Sequence, residues 1–194
     1  DAPLEEIADP SFTPRVAKAP WYFLGLQELL VYFDPWIAGV MIPTIIILGL
    51  MAIPYIDSNK EHVGRYSFKN RPLGYFIFSF GLFLWFGLII IGVYFRGPNW
   101  AWYWPWESWD IVKPPPSATH SLSWYSGLLL IITYTCSIIA FQRWKWPHFF
   151  KQLGIFRYMI VILLLILMFA IPLKILLRLA FDIKYIMETP WFNL

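Results

Sequence analysis

The sequence has a single cysteine, Cys136, and few charged residues for its length. A lone cysteine excludes a disulfide within the chain, and it also excludes a Cys-x-x-Cys-His site for attaching haem. Acidic and basic residues make up 14% of the chain, whereas hydrophobic residues make up 59%. Because so little polar surface cannot cover a water-soluble globule, the composition predicts a membrane protein.

Motifs for several common chemistries are also missing. The sequence has no glycine-rich phosphate loop, no nucleophile elbow and no cluster of His, Cys and carboxylate residues at metal-ligand spacing. Its basic residues are divided between short loops rather than gathered on one face, which argues against a nucleic-acid partner. We therefore expect no metal site in this chain and no phosphate-binding enzyme.

Long apolar runs occupy much of the sequence. Each has about 20 residues, which as a helix rising about 1.5 Å per residue crosses hydrocarbon about 30 Å thick. Backbone groups in lipid must be paired internally, so the runs are predicted to be helices rather than strands. They are Trp36–Ile56, Gly74–Phe95, Leu122–Phe141 and Ile155–Leu177. The predicted fold is an all-α integral membrane protein with four transmembrane helices.

Basic residues are concentrated in two of the loops between these runs. Residues 57–73 include four Lys or Arg residues, and residues 142–154 include three. Short loops rich in Lys and Arg stay on the cytoplasmic side. We therefore expect a multi-pass protein of the cytoplasmic (inner) membrane with cytoplasmic basic loops. Both termini and the middle loop are then on the electropositive side.

A short helix is predicted before the first run. Pro20 is suited to open it, and the helix is expected to extend from Trp21 to Phe33. One apolar face contains Phe23, Leu26, Leu29, Leu30 and Phe33. A helix of this length cannot cross a bilayer, so it is predicted to be an amphipathic helix on the membrane surface or against a partner.

The middle loop is rich in tryptophan. It contains the sequence Trp100-Ala-Trp-Tyr-Trp-Pro-Trp106, and we expect it to fold onto the membrane surface or another subunit. The chain is thus divided into a lead with the surface helix (1–35), two spans (36–95), the Trp-rich loop (96–121) and two further spans with a tail (122–194).

Two features inside the runs predict particular environments. Gly81, Gly87 and Gly92 would let a neighbouring helix approach closely, although ordinary membrane-helix composition is the alternative explanation. Lys174 and Arg178, about a turn apart at the end of the fourth run, are expected to extend to the interface, with a buried site as the alternative.

A resemblance to a known family begins at Asp9. The segment Asp9–Leu30 reads Asp-Pro-Ser-Phe-Thr-Pro-Arg-Val-Ala-Lys-Ala-Pro-Trp-Tyr-Phe-Leu-Gly-Leu-Gln-Glu-Leu-Leu. It resembles the loop before the sixth helix of cytochrome b in the quinol-oxidising cytochrome bc and bf complexes. There, a Thr-Pro pair precedes a Pro-Glu-Trp-Tyr motif and a short surface helix, and in bf complexes the region belongs to subunit IV. The similarity continues through both of the first spans and covers roughly residues 9–95.

The resemblance implies a role in quinol oxidation. In that family the motif loop lies on the electropositive side and closes over ubiquinol, menaquinol or plastoquinol, so the quinol is a substrate rather than a bound cofactor. The quinone-binding residues that it implies are Pro20, Trp21, Tyr22, Phe23 and Leu26. We expect Tyr22 to hydrogen-bond a quinone oxygen.

The redox centres are expected in partner subunits. In the family, an iron–sulfur protein takes one electron and the b haems take the other. The histidines of this chain are His62, His120 and His148, all outside the apolar runs, so the chain cannot supply two membrane-buried pairs of haem ligands. The expected partners are therefore a cytochrome b-type subunit that supplies haem b, and iron–sulfur or cytochrome c subunits.

One departure from the family concerns the acidic residue of its motif. That residue, thought to accept a proton from quinol, is replaced by Pro20 in Ala19-Pro20-Trp21-Tyr22. Glu28 and Asp34 are the nearest acids, and we predict that Glu28 takes the proton as a partly buried carboxylate. In the alternative, Glu28 faces interfacial water on its short helix.

The resemblance therefore implies a membrane subunit of a quinol:cytochrome c (or related acceptor) oxidoreductase, acting in a respiratory-type electron-transport chain. It would form part of the quinol-oxidation pocket and pack against a haem-bearing cytochrome b, with activity belonging to the assembly. The alternative is a purely architectural subunit without an active quinone site, which Pro20 favours. A transporter component is disfavoured because no run has a charged residue near its middle.

Overall fold

The computed structural model describes residues 7, 9–11, 17–57, 64–65, 68–111, 113–114, 119–148, 153–191 and 193–194. Within these ranges the chain is mainly helical, and extended residues pair only through isolated bridges. The helices are α1 (Trp21–Tyr32), α2 (Ile42–Ile56), α3 (Pro72–Tyr94), α4 (Trp124–Lys145) and α5 (Ile155–Phe181). A π-helical segment, Ile37–Met41, leads directly into α2.

The membrane fold is confirmed. The stretches long and apolar enough to cross a membrane are Ile37–Ile56, Pro72–Tyr94, Trp124–Lys145 and Ile155–Phe181. Two helices end later than predicted, α4 at Lys145 instead of Phe141 and α5 at Phe181 instead of Leu177. Hydropathy alone ends a span at its first charged or polar residues, but Gln, Lys and Arg are good helix formers and continue the helix into the interface.

The helix α1 packs against the C-terminal half of α3. Leu24 and Leu29 of α1 are each only 2% exposed. At Gly92 of α3, an added Cβ would lie 2.8 Å from Cγ of Leu24, so the two helices touch where a side chain is missing. The close approach predicted for the glycines is thus found at Gly92, whereas Gly81 and Gly87 face open space within this chain.

We expect Gly92→Ala to lower the free energy of unfolding by about 1–3 kcal/mol, because the new methyl group displaces Leu24. Gly87→Ala is the matched control, since nothing lies within 4 Å of its added Cβ. Both changes gain the same helix propensity, so their difference isolates the contact with Leu24. Thermal unfolding in detergent measures it, and equal stabilities of the two variants would contradict the packing.

The segment after α5 folds back over the start of α4. Leu122 donates its backbone N–H to Tyr185 O at 3.0 Å, and Lys184 donates to His120 O at 2.8 Å. Lys174 is 2% exposed and donates Nζ to Lys184 O at 2.7 Å. The predicted extension of Lys174 to the interface is therefore wrong, because the C-terminal segment covers it and supplies an acceptor.

Both ends of the helices are held by specific contacts. The core cluster near α1 consists of Leu29, Tyr32, Ile37, Ala38, Ile42 and Leu88. At the opposite end, Asp57 and Arg71 form an ion pair between α2 and α3. There too, Tyr158 of α5 donates its hydroxyl to Gln142 Oε1 of α4 at 2.7 Å. Consequently α1, the Trp-rich loop, the start of α4 and the C-terminal segment share one end of the molecule.

Candidate functional site

The start of α1 is fixed by a side-chain amide. Gln27 Oε1 accepts a hydrogen bond from Ala19 N at 2.8 Å, and Gln27 Nε2 donates to Ala17 O at 2.9 Å. These two bonds fold the lead back onto the helix. Pro20 precedes the first helical residue, where its missing N–H costs nothing and its fixed φ suits helix initiation.

Lys18 joins the same lead to α3. Its Nζ donates to Val93 O at 2.8 Å, close to the C-terminus of α3, where backbone carbonyls lack partners within the helix. The ammonium also lies 4.7 Å from the centroid of the Trp109 ring, within range of a cation–π interaction. Partial burial lowers the pKa of Lys18 from its ordinary value. The lead is therefore tied to both α3 and the Trp-rich loop.

Three successive aromatic residues at the start of α1 form an exposed surface, which we call the aromatic edge: Trp21, Tyr22 and Phe23. Their exposed fractions are 65%, 50% and 55%. The ring centroids of Trp21 and Tyr22 are 5.8 Å apart, and those of Tyr22 and Phe23 are 4.8 Å apart. The Tyr22 hydroxyl has no hydrogen bond to the described residues. Pro20 lies beside this edge and is exposed, and Leu26 is half-buried one turn further along.

Further along α1 lies a buried ion pair. Glu28 is 0% exposed and Arg96, just after α3, is 6% exposed. Arg96 Nη2 donates to Glu28 Oε1 at 2.6 Å, and its Nε donates to Oε2 at 2.9 Å. Tyr32 Oη donates to Oε1 at 2.8 Å, and Trp100 Nε1 donates to Oε2 at 3.1 Å. We call these four residues the ion-pair cluster.

The cluster stabilises its own charges. Burial and the neighbouring Glu28 carboxylate raise the pKa of Tyr32 well above its usual range, so its hydroxyl stays protonated and donates. Burial alone would lower the pKa of Arg96, but the hydrogen bonds and charge of Glu28 outweigh burial and raise it. Charge-assisted, bidentate pairs of this kind are the strongest hydrogen bonds between side chains.

The position of Glu28 bears on its predicted role. The alternative in which it faces interfacial water is wrong, because the helix turns this carboxylate toward Arg96 and away from solvent. Its role as a proton acceptor stays a prediction. A proton from quinol would have to reach a fully buried carboxylate whose two oxygens already accept hydrogen bonds from Arg96, Tyr32 and Trp100.

Arg96 and Trp100 are site residues that the sequence alone did not predict. The available signal was an arginine directly after a span and an unpaired acid on a short helix nearby in the membrane. Glu28 and Arg96 are 68 positions apart in the chain, so spacing alone does not connect them. Trp100 belongs to the Trp-rich run, and nothing in that run distinguishes it from the other indoles.

The Trp-rich loop begins as an ordered hairpin. Tyr103, only 1% exposed, donates its backbone N–H to Phe95 O at 2.9 Å. Its hydroxyl donates to Ile111 O at 3.0 Å and accepts from Lys113 N at 3.0 Å. Gly97 lies against the ring, where an added Cβ would be 2.6 Å from Cδ2. The hairpin therefore places Arg96 and Trp100 without forming a sheet.

Indoles project from this hairpin. Trp104 and Trp106 are stacked with centroids 5.3 Å apart, and they are 45% and 78% exposed. Trp102 lies edge-on to Trp104 at 5.9 Å and 5.0 Å from the ring of Phe95, next to the end of α3. The predicted contact of this loop with the membrane surface or another subunit stays a prediction.

Metal ligands do not gather in the described part of the chain. It contains no group of three or more His, Cys, Asp or Glu side chains that could hold a metal ion. His120 and His148 lie outside the helices, and His62 lies outside the described residues. The predicted haem b and iron–sulfur partners remain expectations for other subunits.

Comparison with known proteins identifies the first half of the chain. Residues 7–102 match the family described as Cytochrome b(C-terminal)/b6/petD. Residues 7–102 belong to the cytochrome b C-terminal/b6/petD family. The matched range contains the aromatic edge, the ion-pair cluster and the spans formed by α2 and α3. No solved structure matches this chain.

The family and the fold together give the general role. A cytochrome b C-terminal segment followed by further apolar helices makes this chain a multi-pass membrane subunit of a cytochrome bc- or b6f-type complex. The chain therefore takes part in membrane electron transport. The Trp-rich loop beyond Trp102, α4 and α5 lie outside the match.

Proposed function

We propose that this subunit forms part of a quinol-oxidation pocket, with the aromatic edge as its contact surface. Pockets for such ligands are mostly apolar and aromatic, with a few polar groups that orient the head. Trp21 and Phe23 offer exposed rings, and Tyr22 adds a hydroxyl without a partner among the described residues. This exposed edge, in a segment that matches the cytochrome b family, is the observation that carries the proposal.

The proposal assigns the site to the electropositive side of the cytoplasmic (inner) membrane. The helix ends that the basic segments 57–73 and 142–154 connect in the sequence, the end of α2, the start of α3, the end of α4 and the start of α5, lie opposite α1. Lys- and Arg-rich loops stay cytoplasmic, which puts α1, the Trp-rich loop and the C-terminal segment on the other side. The quinol would be oxidised there, in a quinol:cytochrome c (or related acceptor) oxidoreductase of a respiratory-type chain.

The redox centres then belong to the partners. A cytochrome b-type subunit would supply the b haems, and an iron–sulfur or cytochrome c subunit would accept the first electron. This chain would close the pocket from one side and hold the head of the quinol. A second candidate, a purely architectural subunit, is favoured by Pro20 in place of the family's acid and by the pairing of Glu28 with Arg96.

Substitutions in the aromatic edge test the proposal. In the assembled complex, Trp21→Ala and Tyr22→Phe should each raise KM for quinol about tenfold, since losing about 1.4 kcal/mol of binding corresponds to that factor. Trp144→Ala is the control, because Trp144 is 79% exposed at the other end of the molecule. Steady-state kinetics and the affinity of a quinone-analogue inhibitor measure the effect. Unchanged values in both variants would favour the architectural alternative.

Glu28→Gln tests the predicted proton acceptor. If Glu28 takes the proton, the assembled complex with glutamine should lose at least about 100-fold in kcat, the lower range for general-base catalysis. The substitution keeps the size of the side chain and an acceptor for Trp100, but it leaves Arg96 without its counter-charge, so kcat is compared per assembled complex. Measurement of quinol oxidation across pH distinguishes a Glu28 that accepts the proton from a Glu28 that has only a structural role. Intact turnover with Glu28→Gln would exclude this role for Glu28.

A further inference from the structure

The ion-pair cluster is more deeply buried than the other ion pairs of the described residues. Among the described residues, three ion pairs are present, and those of Arg71 with Asp57 and Lys113 with Glu107 are partly exposed. Only the pair of Glu28 and Arg96 is withdrawn from water at both partners, with side chains 0% and 7% exposed. A buried pair is poor evidence for stability as such, but it fixes geometry when its hydrogen bonds are complete.

The pair connects three parts of the chain. Glu28 lies on α1, Arg96 follows α3, and Trp100 lies in the Trp-rich loop. Arg96 Nη1 also donates to Trp100 O at 3.1 Å, so the guanidinium bonds to the helix and to the loop at once. The planar guanidinium fork sets both the distance and the rotation of α1 relative to α3.

Position along α1 links this pair to the aromatic edge. Trp21 and Glu28 are seven positions apart, which is about two helical turns on one face. Rotation of α1 about its axis would therefore move the aromatic edge together with Glu28. Apolar contacts such as that of Leu24 with Gly92 are non-directional, whereas a bidentate ion pair has a defined geometry.

We propose that Glu28 and Arg96 are positioning residues that set the orientation of the aromatic edge. This inference rests on the proposed quinol site for its functional consequence, but its structural part stands without it. Arg96 does not touch the quinol; it holds the helix that does. The aromatic edge binds the quinol but carries out no chemical step, so a change in its orientation should weaken binding and raise KM rather than lower kcat.

Arg96→Lys in the assembled complex is the test. Lysine keeps the positive charge but loses the planar fork, so α1 stays paired without a fixed rotation. We expect backbone amides of residues 21–32 to exchange hydrogen at least about tenfold faster and KM for quinol to rise about tenfold, with kcat changed less than about twofold. Lys113→Arg is the control, since it exchanges the same residue types in the partly exposed pair with Glu107.

A second variant covers the case in which Arg96→Lys fails to assemble. Trp100→Phe removes one donor to Glu28 and leaves the ion pair, so we expect a smaller acceleration of exchange, about threefold, in the same amides. Unchanged exchange of residues 21–32 in every variant that assembles would overturn the positioning role, whatever happens to KM. Faster exchange with unchanged KM would uphold positioning and would count against the quinol site itself.

Discussion

Replacing Arg96 with methionine should lower the free energy of unfolding by about 3–5 kcal/mol, the usual cost of removing one partner of a buried ion pair. Glu28 is fully enclosed, so its carboxylate cannot turn to water when the guanidinium is gone. Tyr32 and Trp100 would remain as donors, but neutral donors do not balance a buried charge. We expect the variant chain to be depleted from the purified complex and to unfold at a lower temperature.

The double variant Glu28→Gln with Arg96→Met is the decisive comparison. Removing both charges eliminates the uncompensated carboxylate. The glutamine amide oxygen can still accept from Trp100, and its NH2 group can donate to the Tyr32 hydroxyl. Exchange of a whole buried pair for uncharged groups is often neutral, so most of the lost stability should return. Thermal unfolding of the four chains of this cycle, in the same detergent, measures the coupling. Equal losses in the single and double variants would mean that packing, not charge, determines the effect.

The spans followed from composition because hydrocarbon imposes one simple rule. Each run long enough to cross a bilayer became a helix, and Pro72 and Trp124 shift the predicted starts by only two residues. What hydropathy does not capture is helix continuing beyond the apolar core, as at Arg143–Lys145. The burial of Lys174 escaped prediction for a related reason, because the segment that covers it returns from further along the chain.

The exposed aromatic edge of the site could be predicted from the sequence, but the buried ion-pair cluster could not. The Trp21-Tyr22-Phe23 edge could be located because its residues are adjacent and resemble a known motif. Glu28 lies on the side of α1 opposite the centre of the predicted apolar face. Of that face, Phe23 and Leu30 are exposed, whereas Leu29 is buried in the core. Periodicity shows which residues share a face, but it does not show that a lone acid is matched by an arginine from a distant helix end.

The Trp-rich loop illustrates the same limit. A high indole content indicates an interface, yet it says nothing about which ring is internal. Tyr103 is the buried member because Gly97 leaves room for its ring and because Ile111 O and Lys113 N pair with its hydroxyl. Such an arrangement depends on several loop residues at once, and no single spacing in the sequence reveals it.

Tyr103→Ala should therefore cost about 3–5 kcal/mol, the range for truncation of a large buried ring. Tyr103→Phe keeps the ring and loses two hydrogen bonds, so about 1–2 kcal/mol is expected. Trp106→Ala is the control on the same hairpin, because Trp106 is 78% exposed and loses little more than its stacking on Trp104. Thermal unfolding gives the order of the three variants.

An effect of Tyr103→Ala on α1 would distinguish a specific loss of support for the site from a general loss of stability. Because Tyr103 N bonds to Phe95 O beside Arg96, loosening the hairpin should also loosen α1. Hydrogen exchange within the complex should accelerate at residues 96–111 and at residues 21–32 in Tyr103→Ala, and at neither in Trp106→Ala. Acceleration confined to the hairpin would show that the ion-pair cluster holds α1 without support from the loop.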